Sequence, residues 1–596
     1  MHGFYGRILT VDLSRRGFAI EAADPAHLEA YLGGKGLATR LLLDRNPAGV
    51  DPLAPENNLI FAAGPLCGGA AWGASRYGVF TKSPQTGFYT ESYSGGRTPQ
   101  AVDAAGFDAV ILTGAADRLT GLTIHPDGCT FHDATELAGL DVYAADDAAR
   151  ARFVLPRDDA KRVGAVVIGP AGENLCRLAM IANERWRCAG RTGVGAVMGS
   201  KRVKAIVFQG DRKREAADPV GLAAYAADFA KRGVQNKGVK AYKALGTTMM
   251  VGIMNAAGAF PAKYWTQGSC EHWEKISGER FHKEHEVKAH ACAKCFMSCG
   301  RMAKLASGRH KGMELEGPEY ETIYAFGGLC MIEDMAEIVY LNDLCDRLGI
   351  DTISAGNLCG FVIEAVRLGK VDYPISYNDP DGAAKLIADI AAGTGIGALL
   401  GQGIKVAAKA WGLEELAVHV KGLEPAGYDP RTLQGMGLAY ATSDRGACHL
   451  RTTFYKPELA GMIPTDQVED KAALLIEFED RLTIFDTLIL CRFFRDLYTW
   501  EELSKVIALV TGLDASEEAL KRRAAAIADM TRTFNLREGL TPADDRLPGR
   551  LHDEPLPSGK RLPKEALETM LADYYRLRRW SAEGVPAAGP ENRPVL

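Results

Sequence analysis

Apolar and polar residues alternate along several short segments of the first 210 residues. In residues 7–13 the alternation has a period of two, which predicts a strand with one buried face. Residues 109–113 and 203–208 are short β-branched runs, which also favour strands. Glycine-rich turns separate these runs, and glycine permits positive φ and close approach of the backbone to a ligand. The pattern predicts a β-rich first domain.

After residue 217 the apolar period changes to that of helices, with apolar residues at i, i+3 and i+4. The predicted helices cover residues 218–240, 332–348, 382–411, 516–533 and 564–579. A charged stretch at 211–215 and a weaker break at 412–422 predict three domains, at residues 1–211, 212–420 and 421–596. The expected fold class is therefore α+β, with an N-terminal β-rich domain followed by two mainly α-helical domains.

Composition and charge exclude several classes of protein. The chain has 596 residues and a formal net charge of -5, which gives no electrostatic reason to expect a nucleic-acid partner. No uncharged apolar run approaches the roughly 20 residues that a membrane span requires. The first residues have no apolar signal-peptide region, so we expect a cytoplasmic protein.

Three of the 13 cysteines form the only close group, Cys292, Cys295 and Cys299, in a C-x2-C-x3-C motif. Cysteine thiolates hold iron–sulfur clusters, usually four to a [4Fe–4S] cubane, so the fourth ligand must come from elsewhere. A zinc site is the alternative, with His290 available as a ligand. The order of the spacings is the reverse of that in radical S-adenosylmethionine enzymes. The spacing alone favours the cluster and leaves zinc open.

Several other short motifs are distributed along the whole chain. They are Gly-Gly-Lys-Gly at 33–36, Thr-Lys-Ser-Pro-Gln-Thr-Gly at 81–87, Ser-Tyr-Ser-Gly-Gly at 92–96, the Gly-Arg-Thr-Gly-Val-Gly run at 190–201, Gly-Pro-Glu-Tyr-Glu-Thr at 317–322, Arg-Gly-Ala-Cys-His-Leu at 445–450, Phe-Asn-Leu-Arg-Glu-Gly at 534–539 and Asp-Tyr-Tyr-Arg-Leu at 573–577. Together with the cysteine motif they resemble the aldehyde ferredoxin oxidoreductase family, from about residue 3 to residue 582. Each motif alone is weak, and the combination is specific.

The resemblance implies one [4Fe–4S] cluster and a tungsten (or molybdenum) bis-molybdopterin cofactor. The family takes its fourth cluster ligand from a D-x-x-G-L-C motif, which matches residues 486–491 here and makes Cys491 the fourth ligand. The glycine of that motif is replaced by Ile489, which is expected to alter the local backbone. With Cys491 added, the cluster is strongly favoured over zinc.

The resemblance also implies which residues bind the organic cofactor. Carboxylates are expected to read the paired N–H donors of each pterin edge, because a carboxylate accepts two such donors side by side. Arginines and Gly-rich loops are expected at the phosphates. The implied cofactor-binding residues are Arg76, Tyr93, Gly95, Arg191, Thr192, Gly193, Asp346, Gly349, Ile350, Asp351, Arg451, Asp486 and Leu490.

Two details of this assignment depend on the family pattern. Mg²⁺ is expected to bridge the pterin phosphates through the backbone carbonyls of Tyr93 and Thr192, and Arg76 is expected between cluster and pterin. Without the resemblance, Asp346 and Asp351 fit the end of a helix at Gly349, with solvated carboxylates. A surface salt bridge is the commoner role of any single arginine.

The resemblance implies that Glu321 and His449 are the catalytic acid–base pair, with Tyr320 and Tyr428 beside them. An aldehyde gains a water oxygen and loses two electrons, so the reaction needs a base and a donor to the substrate oxygen. Burial raises the pKa of a carboxyl group toward neutrality, which suits a general base. Glu321 also fits the first turn of a helix, where carboxylates favour the dipole, and His449 fits a hydrogen-bonded core histidine.

The expected function is reversible oxidation of aldehydes to carboxylic acids. Residues 33–36 are not the G-x-G-x-x-G motif of a dinucleotide-binding site, so the chain is not expected to bind NAD itself. Electrons are expected to leave through the cluster to a ferredoxin or ferredoxin-like iron–sulfur subunit, with a further NAD-linked subunit as an option. An oligomer is expected. Some family members share an iron at a dimer interface through a Glu-x-x-His pattern, but Tyr340 stands here where the histidine would follow Glu337, so that iron is not expected. The alternatives are the tungsten subunit of a benzoyl-CoA reductase and a non-catalytic iron–sulfur or zinc electron-transfer subunit.

Overall fold

A computed structural model describes residues 1–159 and 161–587 of the chain. Twelve strands lie between Arg7 and Gly210, and a separate three-stranded sheet follows. The strands are β1 Arg7–Asp12, β2 Gly17–Ala22, β3 Leu59–Ala62, β4 Tyr77–Lys82, β5 Tyr89–Ser94, β6 Ala109–Thr113, β7 Thr120–His125, β8 Gly128–Asp133, β9 Arg162–Val167, β10 Ile181–Asn183, β11 Arg187–Ala189, β12 Val203–Gly210, β13 Glu286–His290, β14 Gly300–Lys304 and β15 Glu314–Glu316.

The first twelve strands form two six-stranded mixed sheets. The first has the order β2-β1-β6-β3-β4-β5, and the second has the order β11-β10-β9-β12-β7-β8. Most neighbours are antiparallel, while β1 pairs with β6 and β12 pairs with β7 in parallel. The strands expected at 7–13, 109–113 and 203–208 are confirmed as β1, β6 and β12.

The two sheets pack face to face, and each is covered on its other side by helices. Strand β3 shows this directly, because its residues alternate between two hydrophobic cores as a strand buried on both faces requires. Leu59 and Phe61 belong to the core between the sheets, together with Ile206 and Phe208 of the second sheet. Ile60 and Ala62 belong to a second core, which joins the first sheet to helices near both ends of the chain.

Helices dominate after Gly210. The helices are α1 Pro25–Tyr31, α2 Gly34–Arg45, α3 Thr98–Ala104, α4 Val142–Phe153, α5 Pro170–Glu173, α6 Val194–Ser200, α7 Pro219–Gly233, α8 Lys237–Leu245, α9 Met250–Ala257, α10 Gly278–Glu284, α11 Tyr320–Thr322, α12 Met335–Leu348, α13 Thr352–Arg367, α14 Pro380–Ala392, α15 Gly397–Leu400, α16 Ile404–Trp411, α17 Gln434–Thr442, α18 Tyr455–Leu459, α19 Lys471–Leu488, α20 Trp500–Thr511, α21 Glu517–Arg537, α22 Arg550–Asp553 and α23 Lys564–Leu577. Short 3₁₀ turns lie at Thr135–Leu137, Gly246–Met249, Trp273–Ile276, Arg492–Phe494 and Pro542–Asp544, and a π-helical segment at Ile323–Leu329.

This architecture confirms the α+β prediction of a β-rich N-terminal part followed by helical parts. Two of the expected helices are interrupted. The helix expected at 218–240 breaks into α7 and α8, because Asn236 starts a new helix by accepting from the N–H groups of Gly238 and Val239. The helix expected at 382–411 is α14, α15 and α16, with Gly393 in the left-handed conformation that ends α14.

The third sheet is an element that the apolar pattern did not predict. Strands β13 and β14 pair antiparallel from Glu286 with Lys304 to His290 with Gly300, so the C-x2-C-x3-C motif forms the loop of this hairpin. The burial pattern of β13 has no fully buried residue, which explains the missing period-two signal. Lys294 and Ser298 within the loop have positive φ, at 48° each. The backbone therefore turns sharply between the cysteines.

The Gly-Gly-Lys-Gly motif packs the start of α2 against the end of α19. A Cβ atom on Gly34 would lie 2.5 Å from the carbonyl oxygen of Asp486, and φ at Gly34 is 43°, so glycine is required there. The buried Lys35 side chain donates to Asp444 at 2.6 Å and to Glu91 at 3.0 Å. The motif thus connects the N-terminal sheet to the segment that carries Cys491.

In the described part of the chain, no helix combines the length and the apolar character needed to cross a membrane.

Candidate active site

A cavity of about 380 Å³ lies where the first sheet, the cysteine hairpin and the helices meet. Most of the residues that the sequence predicted for the site line it. These are Arg76, Tyr93, Gly95, Arg191, Cys292, Cys299, Tyr320, Glu321, Asp346, Ile350, Asp351, Tyr428, His449, Arg451, Asp486, Leu490 and Cys491. Four described residues of the predicted set are not among its lining residues, namely Thr192, Gly193, Gly349 and Cys295. Segments more than 400 residues apart in sequence therefore share one chamber.

Glu321 and His449 lie side by side on the cavity wall. Glu321 belongs to the short helix α11, and the Oε1 atom of its carboxylate is 3.3 Å from Nε2 of His449. Its other oxygen accepts a hydrogen bond from the backbone N–H of Gly427 at 2.9 Å. Glu321 Oε1 and His449 Nδ1 have no hydrogen-bond partner among the described residues. Because buried polar atoms are normally paired, these two atoms are candidate contacts for a bound ligand.

The surroundings of the pair shift both pKa values toward the neutral forms. Burial raises the pKa of Glu321 to about 7, although the Gly427 N–H and Arg191 oppose the shift. Burial lowers the pKa of His449 well below its usual range, and Arg191, Arg445, Arg495 and Arg492 lower it further. Near neutral pH the carboxyl group can therefore bind and release a proton, while the imidazole stays neutral.

Two tyrosines extend this wall. Tyr428 stacks on His449 with 5.4 Å between ring centroids, and Tyr320 lies 5.6 Å from Tyr428. The Tyr320 hydroxyl donates to the carbonyl of Gly427, so its proton points away from the catalytic pair. Burial raises the pKa of both phenols well above the ordinary value. Tyr428 is thus better placed than Tyr320 to donate to a ligand beside His449.

Three of the four predicted cluster cysteines, Cys292, Cys299 and Cys491, also line the cavity. Cys491 follows α19, and its N–H donates to the carbonyl of Gly73 at 2.8 Å. Burial and the charge of Cys491 raise the pKa values of Cys292 and Cys295, that of Cys295 to about 12, so these thiols share one electrostatic environment. No three His, Cys, Asp or Glu side chains within residues 1–159 and 161–587 are close enough to hold a single metal ion.

Gly95 and Arg76 connect the cysteines to the rest of the cavity. A Cβ atom on Gly95 would lie 3.0 Å from Sγ of Cys292, so only glycine lets the backbone approach the thiol this closely. Arg76 donates to Sγ of Cys491 at 3.7 Å and to the carbonyl oxygen of Tyr93 at 3.2 Å. Arg76 therefore lies between the cysteines and the strand that carries Tyr93.

The three carboxylates predicted to read pterin edges differ in their partners. Among the described residues Asp346 accepts from the Asn342 side chain alone, at 2.7 Å, and burial raises its pKa well above the ordinary range. Asp486 is paired with Arg451 at 2.7 Å and with Arg492. Burial opposes ionisation of Asp486, but these two arginines lower its pKa.

Asp351 is held by protein groups on several sides. Its carboxylate caps α13 by accepting from the N–H groups of Ile353 and Ser354, and it accepts from Arg191 Nε at 3.1 Å. The helix before it ends at Gly349, as the pattern predicted, but Asp351 and Asp346 are buried rather than solvated. Of the three, Asp346 has the most freely accessible acceptor edge.

The residues expected at the phosphates and at Mg²⁺ are engaged with neighbouring groups. The Arg191 guanidinium donates to the carbonyls of Ala447 at 3.1 Å and Glu424 at 2.6 Å as well as to Asp351. The Thr192 carbonyl accepts from the Ser83 hydroxyl at 2.8 Å, as the Tyr93 carbonyl does from Arg76. Since a carbonyl oxygen has two lone pairs, each can still accept a second partner, and the Mg²⁺ site remains a prediction.

Sequence reasoning missed much of the positive charge in the cavity. Seven of the lining side chains are arginines, and four of these were not predicted, namely Arg187, Arg445, Arg492 and Arg495. Two adjoin the recognised motifs, since Arg445 begins Arg-Gly-Ala-Cys-His and Arg492 follows Cys491. The Nε atoms of Arg445 and Arg451 lack partners among the described residues.

The lining fits a large anionic cofactor with paired N–H donors. Arginine is the side chain that best matches phosphate oxygens, and unpaired guanidinium N–H groups point to an anionic ligand. The accessible edge of Asp346 suits an aminopyrimidinone. The cavity lining offers arginines for the phosphates of a pterin, carboxylates for its N–H donors and thiols for an adjacent iron–sulfur cluster.

Comparison with known proteins gives consistent results along the whole chain. Residues 8–210 match the family model described as aldehyde ferredoxin oxidoreductase, N-terminal domain, and residues 224–590 match that for domains 2 and 3. Tungsten-containing aldehyde ferredoxin oxidoreductases from Pyrococcus furiosus and Thermococcus kodakarensis are each 35% identical to this chain, with 98% of this chain and 97% of the relative covered.

A solved structure shares the fold. It is the active-site complex BamBC of benzoyl coenzyme A reductase with 1,5-dienoyl-CoA, which superposes with a TM-score of 0.85 at 25% identity. The match covers 98% of this chain and 96% of that chain. The arrangement of sheets and helices described above is therefore shared with this solved structure over nearly the whole chain.

Proposed function

The chain belongs to the aldehyde ferredoxin oxidoreductase family, and we propose that it oxidises aldehydes to carboxylic acids at a tungsten bis-pterin cofactor. The overall reaction is RCHO + H₂O → RCOO⁻ + 3H⁺ + 2e⁻. The observation that carries the proposal is the buried Glu321–His449 pair, which lines the same cavity as Cys292, Cys299 and Cys491. Acid–base groups and an electron exit are thus close together.

The lining residues would hold the cofactor from several sides. Asp346 and Asp486 would accept from the pterin edges, and the cavity arginines would bind the phosphates. The cofactor, when bound, supplies the two-electron redox chemistry. Cys292, Cys295, Cys299 and Cys491 would hold one [4Fe–4S] cluster, with Arg76 between it and the pterin.

Glu321 acts as the general base in the proposed mechanism. With its pKa raised to about 7 by burial, its carboxylate takes a proton from the water that attacks the aldehyde carbon. The carboxyl group lies 3.3 Å from Nε2 of His449, so the neutral imidazole can orient the protonated carboxyl group. Tyr428, stacked on His449, can donate a hydrogen bond to the substrate oxygen.

The substrate must reach a water-poor chamber. Glu321 and His449 have side-chain exposures of 16% and 10%, and Tyr428 and Tyr320 are buried beside them. Excluding bulk water strengthens the hydrogen bonds to the substrate oxygen and keeps the pKa of Glu321 near neutrality. The aromatic rings favour an aldehyde with an apolar substituent.

A direct assay tests this function. The protein is produced with tungstate or molybdate, its metal content is measured, and aldehyde-dependent reduction of a viologen dye is followed with aliphatic and aromatic aldehydes. We expect dye reduction that is proportional to bound tungsten or molybdenum and absent from metal-free protein. Fully loaded protein that reduces no dye with any aldehyde contradicts the proposal.

The second candidate is the tungsten subunit of a benzoyl-CoA reductase. The superposition on the benzoyl coenzyme A reductase complex favours it. The same preparation is therefore also tested with 1,5-dienoyl-CoA as electron donor to the dye. Dye reduction with the thioester and none with aldehydes supports this second function, whereas the opposite result supports aldehyde oxidation.

A further inference from the structure

The cysteine hairpin brings the expected cluster close to one face of the protein. Lys294, between Cys292 and Cys295, is exposed, whereas the cysteines beside it are half-buried. Its positive φ of 48° turns the backbone outward, and its Nζ atom donates to the carbonyl of Gly69 at 2.8 Å. Lys294 therefore marks the surface nearest to the cysteines.

Helices α7 and α8 lie directly beside this loop. Phe296 lies 6.3 Å from Phe229 of α7, and a Cβ atom on Gly233, the last residue of α7, would lie 2.5 Å from Phe296. A Cβ atom on Gly246, which ends α8, would lie 2.6 Å from the carbonyl oxygen of Cys299. Both helix ends thus contact the segment that carries the cysteines.

The surface of this helix pair is strongly basic. Residues 229–270 contain no aspartate or glutamate. Helix α8 buries Val239 and Tyr242, so the lysines on its other side point to solvent. We define the basic rim as the exposed residues Lys231, Lys237, Lys240, Lys243 and Lys294.

The basic rim is not neutralised by the protein itself. None of its five lysines forms an ion pair with a carboxylate among the ion pairs of the described residues, and Lys240 contacts only the amide of Gln235, at 3.1 Å. The acids on neighbouring elements are Asp228 and Glu502, which are both paired with Arg232, Glu284 on α10, which is paired with Arg280, and the exposed Glu279 on α10 and Glu286 on β13. A local excess of positive charge therefore surrounds the loop in a chain of net charge -5.

We propose that the basic rim is the docking surface for an acidic iron–sulfur protein that accepts electrons from the cluster. This rests on the proposed function. Complementary charge accelerates encounter and orients the partner, here with its redox centre toward Lys294. Each docking transfers one electron, so the acceptor is reduced by one electron, and two acceptor molecules dock in turn for every aldehyde oxidised.

Charge reversal on α8 tests the docking surface. The test variant is Lys240→Glu with Lys243→Glu, and the matched control is Lys405→Glu with Lys409→Glu, two exposed lysines on α16 outside the rim. Binding of a bacterial ferredoxin is measured by calorimetry at low and at high salt. We expect the test variant to bind at least about tenfold more weakly at low salt, with a flatter salt dependence, because steering typically contributes about 10- to 1,000-fold.

Electron transfer is measured separately from aldehyde oxidation. The enzyme is reduced with dithionite, mixed with oxidised ferredoxin and followed by stopped flow, so the result does not depend on any aldehyde. Transfer to ferredoxin should slow at least about tenfold in the test variant only, while reduction of a viologen dye is retained in both. Unchanged ferredoxin binding and transfer in the test variant, or equal losses in the control, would overturn the proposal. Loss of aldehyde activity alone, with intact docking, contradicts the proposed function instead.

Discussion

Replacing Glu321 with Gln should remove the general base while keeping the shape and most of the hydrogen bonding of the site. Glu321 Oε2 accepts from the Gly427 N–H at 2.9 Å, and a Gln carbonyl can keep that bond. Loss of a general base typically slows turnover about 10²- to 10⁴-fold. The assay is aldehyde turnover per bound tungsten or molybdenum, so that cofactor loss is not mistaken for loss of the base.

The pH dependence of the wild type gives a second, independent magnitude. Because burial raises the pKa of Glu321 to about 7, the ionised base falls from about 90% at pH 8 to about 10% at pH 6, and kcat/KM should fall by about tenfold. His449 does not add a limb in this range, since burial and nearby arginines lower its pKa well below the usual value. Glu321→Gln should abolish the ascending limb.

A buried acid outside the cavity lining provides the control. Burial also raises the pKa of Glu424 to about 7, and its carboxylate accepts from Ser354 at 2.7 Å and Gln85 at 2.9 Å. Glu424→Gln should therefore keep the pH profile. The assignment of Glu321 as the general base would be falsified by either of two results. One is a pH profile of kcat/KM that is lost in Glu424→Gln and kept in Glu321→Gln, and the other is near-normal turnover of Glu321→Gln at full metal occupancy.

Stability distinguishes a lost base from a damaged fold. Folding raises the pKa of Glu321 from 4.5 to about 7, so ionising the buried group costs about 3 kcal/mol, a cost that grows as pH rises from the unfolded value through the folded one. The Gln variant avoids this cost. At pH 8 it should unfold at a temperature no lower than the wild type.

Three further predictions concern the cofactors and the backbone. Cys491→Ser should lower measured iron from about four per chain toward zero or toward a three-iron form, because four thiolates normally hold a cubane. Unchanged iron contradicts this prediction, and one zinc per chain favours a zinc site instead. Asp346→Ala should weaken cofactor binding by about 1–3 kcal/mol by leaving buried N–H donors unpaired, seen as lower pterin and metal occupancy, and full occupancy refutes it. Ile489→Gly should lower the free energy of unfolding by about 1–3 kcal/mol. Ile489 is buried with φ 56°, and losing its side chain outweighs the relief of about 1–2 kcal/mol of backbone strain. An unchanged or higher melting temperature contradicts this prediction.

Three strands and the general architecture could be predicted because their residues carry local signals. Ala109–Thr113 and Val203–Gly210 are largely buried on both faces, and short β-branched runs are typical of that environment. The order of strands within the sheets has no such signal, since β1 pairs with β6 about 100 residues away. The glycines that divide residues 382–411 into three helices interrupt a continuous i, i+3, i+4 apolar pattern, so the pattern alone predicts one helix.

The site shows the same limit. The motifs around Glu321 and His449 identified residues that the fold places 3.3 Å apart, although 128 positions separate them in the numbering. Arg187 and Arg495 were missed because a single arginine has no periodicity or spacing that separates a cavity residue from a surface one. The double role of Asp351, as a helix cap and a cavity residue, needed the three-dimensional structure.

The distribution of charge explains why the motifs are spread over the whole chain. Lys35, Glu91, Arg451, Asp486 and Arg492 form one buried network that joins the N-terminal sheet to α19. Removing one member of such a network leaves a buried charge unpaired, which typically costs about 3–5 kcal/mol. Each motif is therefore constrained by partners that lie hundreds of residues away. The close approach of Gly34 to Asp486 adds a steric constraint at the same junction. The chamber at this junction is lined both by the Glu321–His449 pair and by Cys292, Cys299 and Cys491, so groups from distant parts of the sequence depend on the same contacts.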